Sequence, residues 1–132
     1  MPNRRDWLLR FIGGDGRDTP WVDRIRVMKG IFLFQKRGGA PGDINYSFRP
    51  YDYGPFTPEI YREIDALTNN GFVFSSPGGQ AYRITDVGRR HLAGLVFPPD
   101  QDAELLGVRR EVVELRFIDL LRMTEALTWG ER

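Results

Sequence analysis

Few side chains in this sequence could carry acid–base or metal chemistry. His91 is the only histidine and there is no cysteine, which excludes disulfides, thiol nucleophiles and zinc–cysteine sites. Glu59 and Glu63 lie one helical turn apart, a spacing more typical of a solvated helix face than of a catalytic pair. The glycine-rich stretch at residues 13–16 follows a predicted helix rather than a strand, so we do not expect it to hold a phosphate. We therefore expect no enzymatic activity, no metal and no cofactor.

Side chains suited to recognition are more numerous, and they centre on residues 57–71. If the apolar residues at positions 60, 64 and 67 face inward on a helix, Arg62, Asp65 and Asn69 face outward. Arg62 could then read guanine and Asn69 could read adenine in a major groove. The full set of candidate DNA- or partner-binding residues is Arg24, Arg26, Thr57, Glu59, Arg62, Asp65, Asn69, Gln80 and Arg83.

The acidic residues of the same helix favour a different partner. Glu59, Glu63 and Asp65 would repel DNA phosphates, whose contacts supply most nonspecific affinity. A mixed-charge face beside tyrosines suits a protein partner, because Tyr and Arg are enriched in protein interfaces. The tyrosines at positions 51, 53 and 61 could form such a patch, or they could pack beneath the turn that follows position 53. DNA and protein both remain candidate partners.

The stretch from residue 51 to residue 84 predicts a capped helix followed by a hairpin. Thr57 is a suitable N-cap, because its hydroxyl can accept a first-turn N–H, and Pro58 fits the first helical position. Gly71 supplies a left-handed helix stop. Residues 72–74 and 81–84 have the composition of strands around a Pro-Gly-Gly turn. This order of helix, strand, turn and strand predicts a winged helix-turn-helix in an α+β, mostly helical fold.

Periodicity and capping signals predict the remaining helices. Thr19 before Pro20 repeats the capping pattern of the central helix. Gly30 interrupts a segment that is apolar on nearly every side, which predicts a buried helix with a close helix crossing. Pro98 and Pro99 should form a stiff hinge. The additional predicted helices cover residues 3–12, from between 20 and 24 to about 36, 86–95 and 102–128, and residues 46–56 should be extended or irregular.

The last predicted helix carries apolar residues on two stripes, roughly 100° apart around its axis. A helix that packs only against its own domain needs one stripe. Both stripes could be buried within one chain, or one could contact the same helix of a second copy. The second interpretation predicts a winged-helix domain at residues 1–97, followed by a hinge and dimerisation helix at 98–132. The predicted interface residues are Leu105, Val108, Val112, Val113, Phe117, Leu120 and Leu127.

Composition limits the partner classes further. The chain has 132 residues, 41% of them hydrophobic and 28% charged, which is typical of a compact soluble protein. No apolar run approaches the roughly 20 residues that span a bilayer, and with cysteine absent we expect a cytoplasmic protein without membrane association. The formal net charge is only +1, although residues 1–40 carry nine basic and four acidic side chains, a balance of +5. This basic first part could steer an anionic partner.

Two segments share the pattern of a known family. Residues 24–35 (RIRVMKGIFLFQ) combine a basic start, a lysine and an aromatic–aliphatic run ending in glutamine, and residues 53–61 (YGPFTPEIY) contain a YGP-x-x-P helix start. Both resemble Panacea-type domains over about residues 21–75. The resemblance implies a winged-helix-like antitoxin or phage-associated protein with a binding or neutralising role. The C-terminal layout resembles that of PadR-type regulators, which dimerise through a separate helix.

Two functions follow as expectations. The first is a small transcription regulator that binds double-stranded DNA as a homodimer. The alternative is an antitoxin-like or other protein-binding module, with a partner such as a toxin, that keeps the winged-helix fold without strong DNA affinity.

Overall fold

The structure is a computed structural model, and it describes residues 2–42, 44–51 and 54–129. Within these residues the chain forms six α-helices and five short β-strands, so the predicted α+β, mostly helical class is confirmed. None of the described helices is long and apolar enough to cross a membrane. In chain order the elements are α1 (Arg4–Gly13), β1 (Val22–Asp23), α2 (Arg24–Lys36), β2 (Arg49–Tyr51), β3 (Gly54–Phe56), α3 (Pro58–Asn69), β4 (Val73–Ser75), β5 (Ala81–Ile84), α4 (Asp86–Ala93), α5 (Pro99–Glu114) and α6 (Phe117–Trp129).

The strands form two separate antiparallel sheets. One has the order β1–β5–β4, with Val22 opposite Tyr82 and Val73 opposite Ile84. Its β4–β5 hairpin lies where the sequence predicted the two strands of a wing. The other sheet is the β2–β3 hairpin, with Tyr51 opposite Gly54, in a stretch predicted only to be extended or irregular. This second hairpin packs on α2 and α6.

Helix α2 lies at the centre of the core, as its apolar pattern predicted, and all residues from 27 to 34 are buried. A Cβ at Gly30 would lie 2.2 Å from Phe11 Cζ, so the predicted close crossing is confirmed and occurs with α1. The predicted cap at Thr19 is wrong. Asp23 caps α2 instead, accepting the Arg26 N–H, because the pairing of β1 with β5 keeps the chain extended up to Asp23.

Helix α3 begins at Pro58 and ends before a left-handed Gly71, with φ 80°, as predicted. The Gly71 N–H donates to the Thr68 carbonyl and the Phe72 N–H donates to the Leu67 carbonyl, which is the Schellman pattern. Thr57 occupies the N-cap position, but its side chain makes no cap hydrogen bond, so that part of the prediction is wrong. Thr57 is buried, and its backbone is extended, with φ −143° and ψ 128°.

The prediction of one long C-terminal helix is also wrong, because the helix is interrupted between α5 and α6. Leu115 is extended at the break, with φ −73° and ψ 142°. The Arg26 guanidinium helps to explain this ending, since it donates to the carbonyls of Val112 (2.9 Å) and Leu115 (2.6 Å). Cations stabilise helix C-termini, where the last carbonyls lack partners within the helix.

The two apolar stripes of the C-terminal segment are largely covered by the chain itself. Most of the predicted interface residues pack into the core that α1 and α2 share with α5. The fully buried ones are Leu105, Val108, Val112 and Leu120, and the partly buried ones are Val113 and Leu127. The fully buried residues present no surface to a second copy. Homodimerisation stays a prediction, and it depends on Phe117, which is 42% exposed, and the neighbouring Ile118.

Arg109 joins α5 to α1 inside the core. Its side chain is 1% exposed, and its guanidinium donates to the carbonyls of Phe11 (2.6 Å), Ile12 (3.0 Å) and Thr19 (2.8 Å). Burial lowers the pKa of Arg109 from its ordinary value. Two of the three carbonyls belong to the last turn of α1, so this cation satisfies groups that a helix end leaves free.

Candidate functional site

A cavity of about 370 Å³ lies where the start of α2, the β2–β3 hairpin and the start of α3 meet. Its mouth is aromatic: the Phe56 ring contacts the Tyr51 ring, with centroids 5.4 Å apart, and the Tyr61 ring at 5.6 Å. Tyr51 is 62% exposed, more than any other tyrosine whose side chain the structure describes. The described residues that line the cavity are Arg24, Ile25, Met28, Lys29, Tyr51, Gly54, Phe56 and Tyr61.

The helical and turn geometry of these segments explains how the cavity forms. Ile25, Met28 and Lys29 share one face of α2 because they are spaced by three and four residues. Gly54 has φ 96°, a conformation that side chains with a Cβ rarely adopt, and a Cβ there would lie 3.4 Å from Lys29 Nζ. The β2–β3 hairpin therefore closes directly over the lysine.

Lys29 is the buried cation of this site. It is 4% exposed, and its Nζ donates to the Pro55 carbonyl at 2.8 Å. No carboxylate of a described residue forms an ion pair with it. Burial lowers the pKa of Lys29 to about 8. An ammonium has three N–H donors, so the described protein atoms use only part of its capacity.

Arg24 lies at the mouth of the cavity and links it to the exposed face of α3. Its guanidinium lies 4.3 Å from the centroid of the Tyr61 ring. The Tyr61 side chain and, more weakly, the Asp65 carboxylate raise the pKa of Arg24. The Arg24 N–H also donates to the Gln80 carbonyl at 2.9 Å. The structure thus brings together Arg24, Asp65 and Gln80 of the predicted recognition residues.

Other predicted recognition residues lie apart from this group. Arg62 and Asn69 are exposed on α3, as predicted. Arg83 is exposed on β5, but its guanidinium lies over the Trp21 ring at 5.6 Å. Tyr82 is the strand neighbour whose side chain lies near Tyr61 and Asp65. Because successive strand residues face opposite sides, Arg83 lies on the side of the sheet away from α3.

Arg26, Glu59 and Glu63 have structural partners, contrary to the interpretation that they face solvent or DNA. Arg26 holds the end of α5, and it also pairs with Asp23 at 3.0 Å. Glu63 is buried, where it accepts a hydrogen bond from the Tyr46 hydroxyl and pairs with Arg4 at 2.6 Å. Its neighbour Glu59 pairs with the same guanidinium at 3.2 Å. Because Arg4 comes from α1, the spacing of residues within α3 could not reveal the ion pairs of Glu59 and Glu63.

The sequence also contains a signal that points to Lys29. A lysine within a run of otherwise apolar, buried helix residues requires a structural or functional explanation, because lysine is almost never fully buried without a partner. His91, in contrast, is accounted for by packing: its Nε2 lies 2.8 Å from an Asp6 oxygen, and its ring stacks on Phe72 at 4.7 Å. Among the described residues no cluster of His, Cys, Asp and Glu side chains could hold a metal ion.

No protein-family model matches the sequence, and comparisons with curated proteins and with solved structures find no significant match. The side chains of the cavity and of α3 therefore have to carry any functional conclusion.

Proposed function

We propose that the protein is a protein-binding module with a winged-helix architecture, and that the cavity and the adjoining exposed face of α3 form its recognition surface. The observation that carries the proposal is the uncovered aromatic mouth of the cavity, with Tyr51 62% exposed beside the Arg24–Tyr61 contact. Tyrosine and arginine, together with tryptophan, are enriched among the residues that contribute most to protein–protein affinity. A side chain of a partner protein could enter the preformed cavity and contact the exposed aromatic residues around it.

The size and lining of the cavity support this proposal. Ligand-binding cavities are typically about 300–1,000 Å³ in volume and mostly apolar, with a few placed polar groups. The cavity, at about 370 Å³, lies within that range, and Arg24 and Lys29 are its charged groups among the described residues. On α3, the exposed charges of Arg62 and Asp65 cancel, which favours a protein surface over a polyanion.

The arrangement of the elements supports the winged-helix part of the proposal. Helix α3 is followed directly by the β4–β5 hairpin, and β1 adds a third strand beside β5. The β2–β3 hairpin is inserted between α2 and α3, so the cavity is formed at the point where this chain adds to that arrangement.

Selection of binders from a random peptide display library tests the proposal. Peptides selected on the wild-type protein should bind Tyr51→Ala at least about tenfold more weakly, because a central aromatic side chain supplies a large share of interface affinity. Phe74→Ala is the matched control, since Phe74 is also an exposed aromatic residue (52%) but lies on the sheet. Peptides that bind Tyr51→Ala and wild type equally would show that the cavity is not the recognition surface.

DNA binding is the second candidate, favoured by the exposure of Arg62 and Asn69 on α3 beside the three-stranded sheet. A titration of the protein with random duplex DNA at increasing salt separates the two functions. A DNA-binding regulator should lose affinity steeply with salt, and Arg62→Ala should reduce the logarithmic salt slope by about one. The protein-binding proposal expects weak duplex binding that Arg62→Ala does not change.

A further inference from the structure

Lys29 is the buried charged residue among the described residues that line the cavity, and only one of the three N–H donors of its ammonium has a described protein acceptor. The residue is 4% exposed, so bulk water has little access to it, and the described protein offers one acceptor, the Pro55 carbonyl. A buried cation is costly unless it is paired and hydrogen-bonded. The free protein already bears that cost at Lys29, so a ligand that supplies a negative charge there gains an ion pair at a group that is already desolvated.

The remaining lining determines what such a ligand should look like. None of the described residues that line the cavity is acidic, while Arg24 adds a second cation at the mouth. The walls next to Lys29 are apolar or aromatic, from Ile25, Met28 and Phe56. One anionic group on an apolar body therefore fits the cavity in both charge and polarity. A phosphate or sulfate would place several strongly hydrated oxygens against those apolar walls, whereas a carboxylate places only two.

This inference rests on the proposed protein-binding function. We propose that a protein partner inserts a segment into the cavity in which an aspartate or glutamate lies next to an aromatic or aliphatic residue, with the carboxylate on Lys29 and the apolar side chain against Met28 and Phe56. The carboxylate accepts hydrogen bonds from the Lys29 ammonium, and Arg24 interacts with it, or with a neighbouring acidic residue, from the mouth. Charge-assisted hydrogen bonds of this kind are about twice as strong as neutral ones.

A pair of small probes tests the carboxylate requirement without knowledge of the partner. Phenylacetate and phenylacetamide have nearly the same shape and differ in charge, and each can be titrated into ¹⁵N-labelled protein and followed by amide chemical shifts. Phenylacetate should shift amides of α2 and β3 and bind at least about tenfold more tightly than the amide, because truncating one partner of a buried charge pair costs at least that factor.

Two variants show whether the preference depends on Lys29. In Lys29→Met, which keeps an unbranched side chain of similar length and removes its charge, most of the preference for phenylacetate should be lost, and Arg24 accounts for any remainder. In Arg89→Met, which removes an exposed cation remote from this cavity, the preference for phenylacetate should remain as in the wild type. Urea denaturation of both variants establishes that they are folded. Equal binding of the probes to wild-type protein, or an unchanged preference in folded Lys29→Met, would overturn the inference.

The display-selected peptides separate this inference from the proposed function. Enrichment of Asp or Glu beside an apolar residue, with at least about tenfold loss on Asp→Asn or Glu→Gln substitution, supports both. Peptides that need Tyr51 but no acidic residue would overturn the inference and leave the protein-binding function standing. If phenylacetate is preferred but no peptide is selected, the cavity takes a free small carboxylate, and both the inference and the protein-binding function are wrong.

Discussion

Arg109, at the junction of α1 and α5, and Lys29, beneath the β2–β3 hairpin, are both buried cations, and the chain treats them differently. Arg109 donates to three backbone carbonyls. Lys29 donates to one. Burial lowers the pKa of each, but that of Lys29 reaches about 8, close enough to neutrality for its charge state to change with modest pH shifts.

The difference separates a cation that holds the fold together from one that leaves binding capacity free. The Arg109 guanidinium donates to backbone carbonyls that the end of α1 leaves without partners. The buried charge and these buried carbonyls therefore stabilise each other. At Lys29 the hairpin supplies one acceptor and the cavity supplies open volume. Mutation of Arg109 should therefore lower the stability of the fold, whereas mutation of Lys29 should mainly change ligand binding.

Replacing Arg109 should have the largest effect. Arg109→Met leaves the carbonyls of Phe11, Ile12 and Thr19 without their donor inside the core, and we expect a loss of about 3–5 kcal/mol in the free energy of unfolding. Urea denaturation measures it. Arg110→Met is the matched control, because Arg110 pairs with Asp15 and Asp18 at the surface and its replacement should cost far less stability than that of Arg109. Similar losses of stability in both variants would show that Arg109 stabilises the fold no more than a surface arginine does.

Glu63 offers the same test with a buried anion. It pairs with Arg4 and accepts from the Tyr46 hydroxyl, whose pKa is raised by burial and by this hydrogen bond. Glu63→Gln should cost about 1.5–3 kcal/mol, the usual range for hydrogen bonds to charged groups. Glu59→Gln, one turn away and more exposed, should cost less than about 1 kcal/mol. A ratio near unity between the two losses in urea denaturation would show that Glu63 is solvated, as its spacing from Glu59 first indicated.

Local signals in the sequence predicted the elements whose causes lie within a few residues. Gly71 stops α3 because its own φ allows the Schellman pattern. The helix predicted after the second hairpin strand is present as α4, where the structure shows Thr85 as the cap that accepts the Gly88 N–H. The Gly30 crossing was also predictable, because a glycine in an apolar helix indicates a close neighbour, although the sequence did not identify that neighbour as Phe11. These features need no knowledge of distant parts of the chain.

Several of the failed predictions share a cause, which is a contact with a residue distant in the sequence. The end of α5 depends on Arg26, and no glycine or proline at positions 115–116 marks it. The burial of Glu63 depends on Arg4. The cavity likewise needs the β2–β3 hairpin to place Gly54 over Lys29, so the lysine was visible in the sequence but the site around it was not.

The free energy of unfolding should depend on pH in a way that reports the protonation of Lys29. The folded-state pKa of Lys29 is about 8, below its ordinary value of 10.5, so between these values the unfolded chain binds more protons. Wild-type stability relative to Lys29→Met should therefore increase as pH rises from 8 to 10.5, by about 1–3 kcal/mol at roughly 1.4 kcal/mol per pKa unit. Below pH 8 the difference should be constant. Urea denaturation of both proteins at each pH measures it, and the subtraction removes the titration of Tyr46 and Tyr82. A difference that stays flat up to pH 10.5 would mean that Lys29 is solvated.

The smallest expected effect concerns the helix caps, where the same contrast recurs. Asp23 caps α2 by accepting the Arg26 N–H at 3.2 Å, whereas Thr57, at the start of α3 next to the hairpin, makes no cap hydrogen bond. Asp23→Ala should cost about 1 kcal/mol, and Asp23→Asn, which can still cap, should cost less. Thr57→Val should cost clearly less than Asp23→Ala, because it removes a hydroxyl that makes no cap hydrogen bond and keeps the shape of the buried side chain. Thermal denaturation of the three variants ranks them. If Thr57→Val lowers the melting temperature as much as Asp23→Ala, the Thr57 hydroxyl caps α3 in solution, and the contrast between a used and an unused polar group does not extend to this helix start.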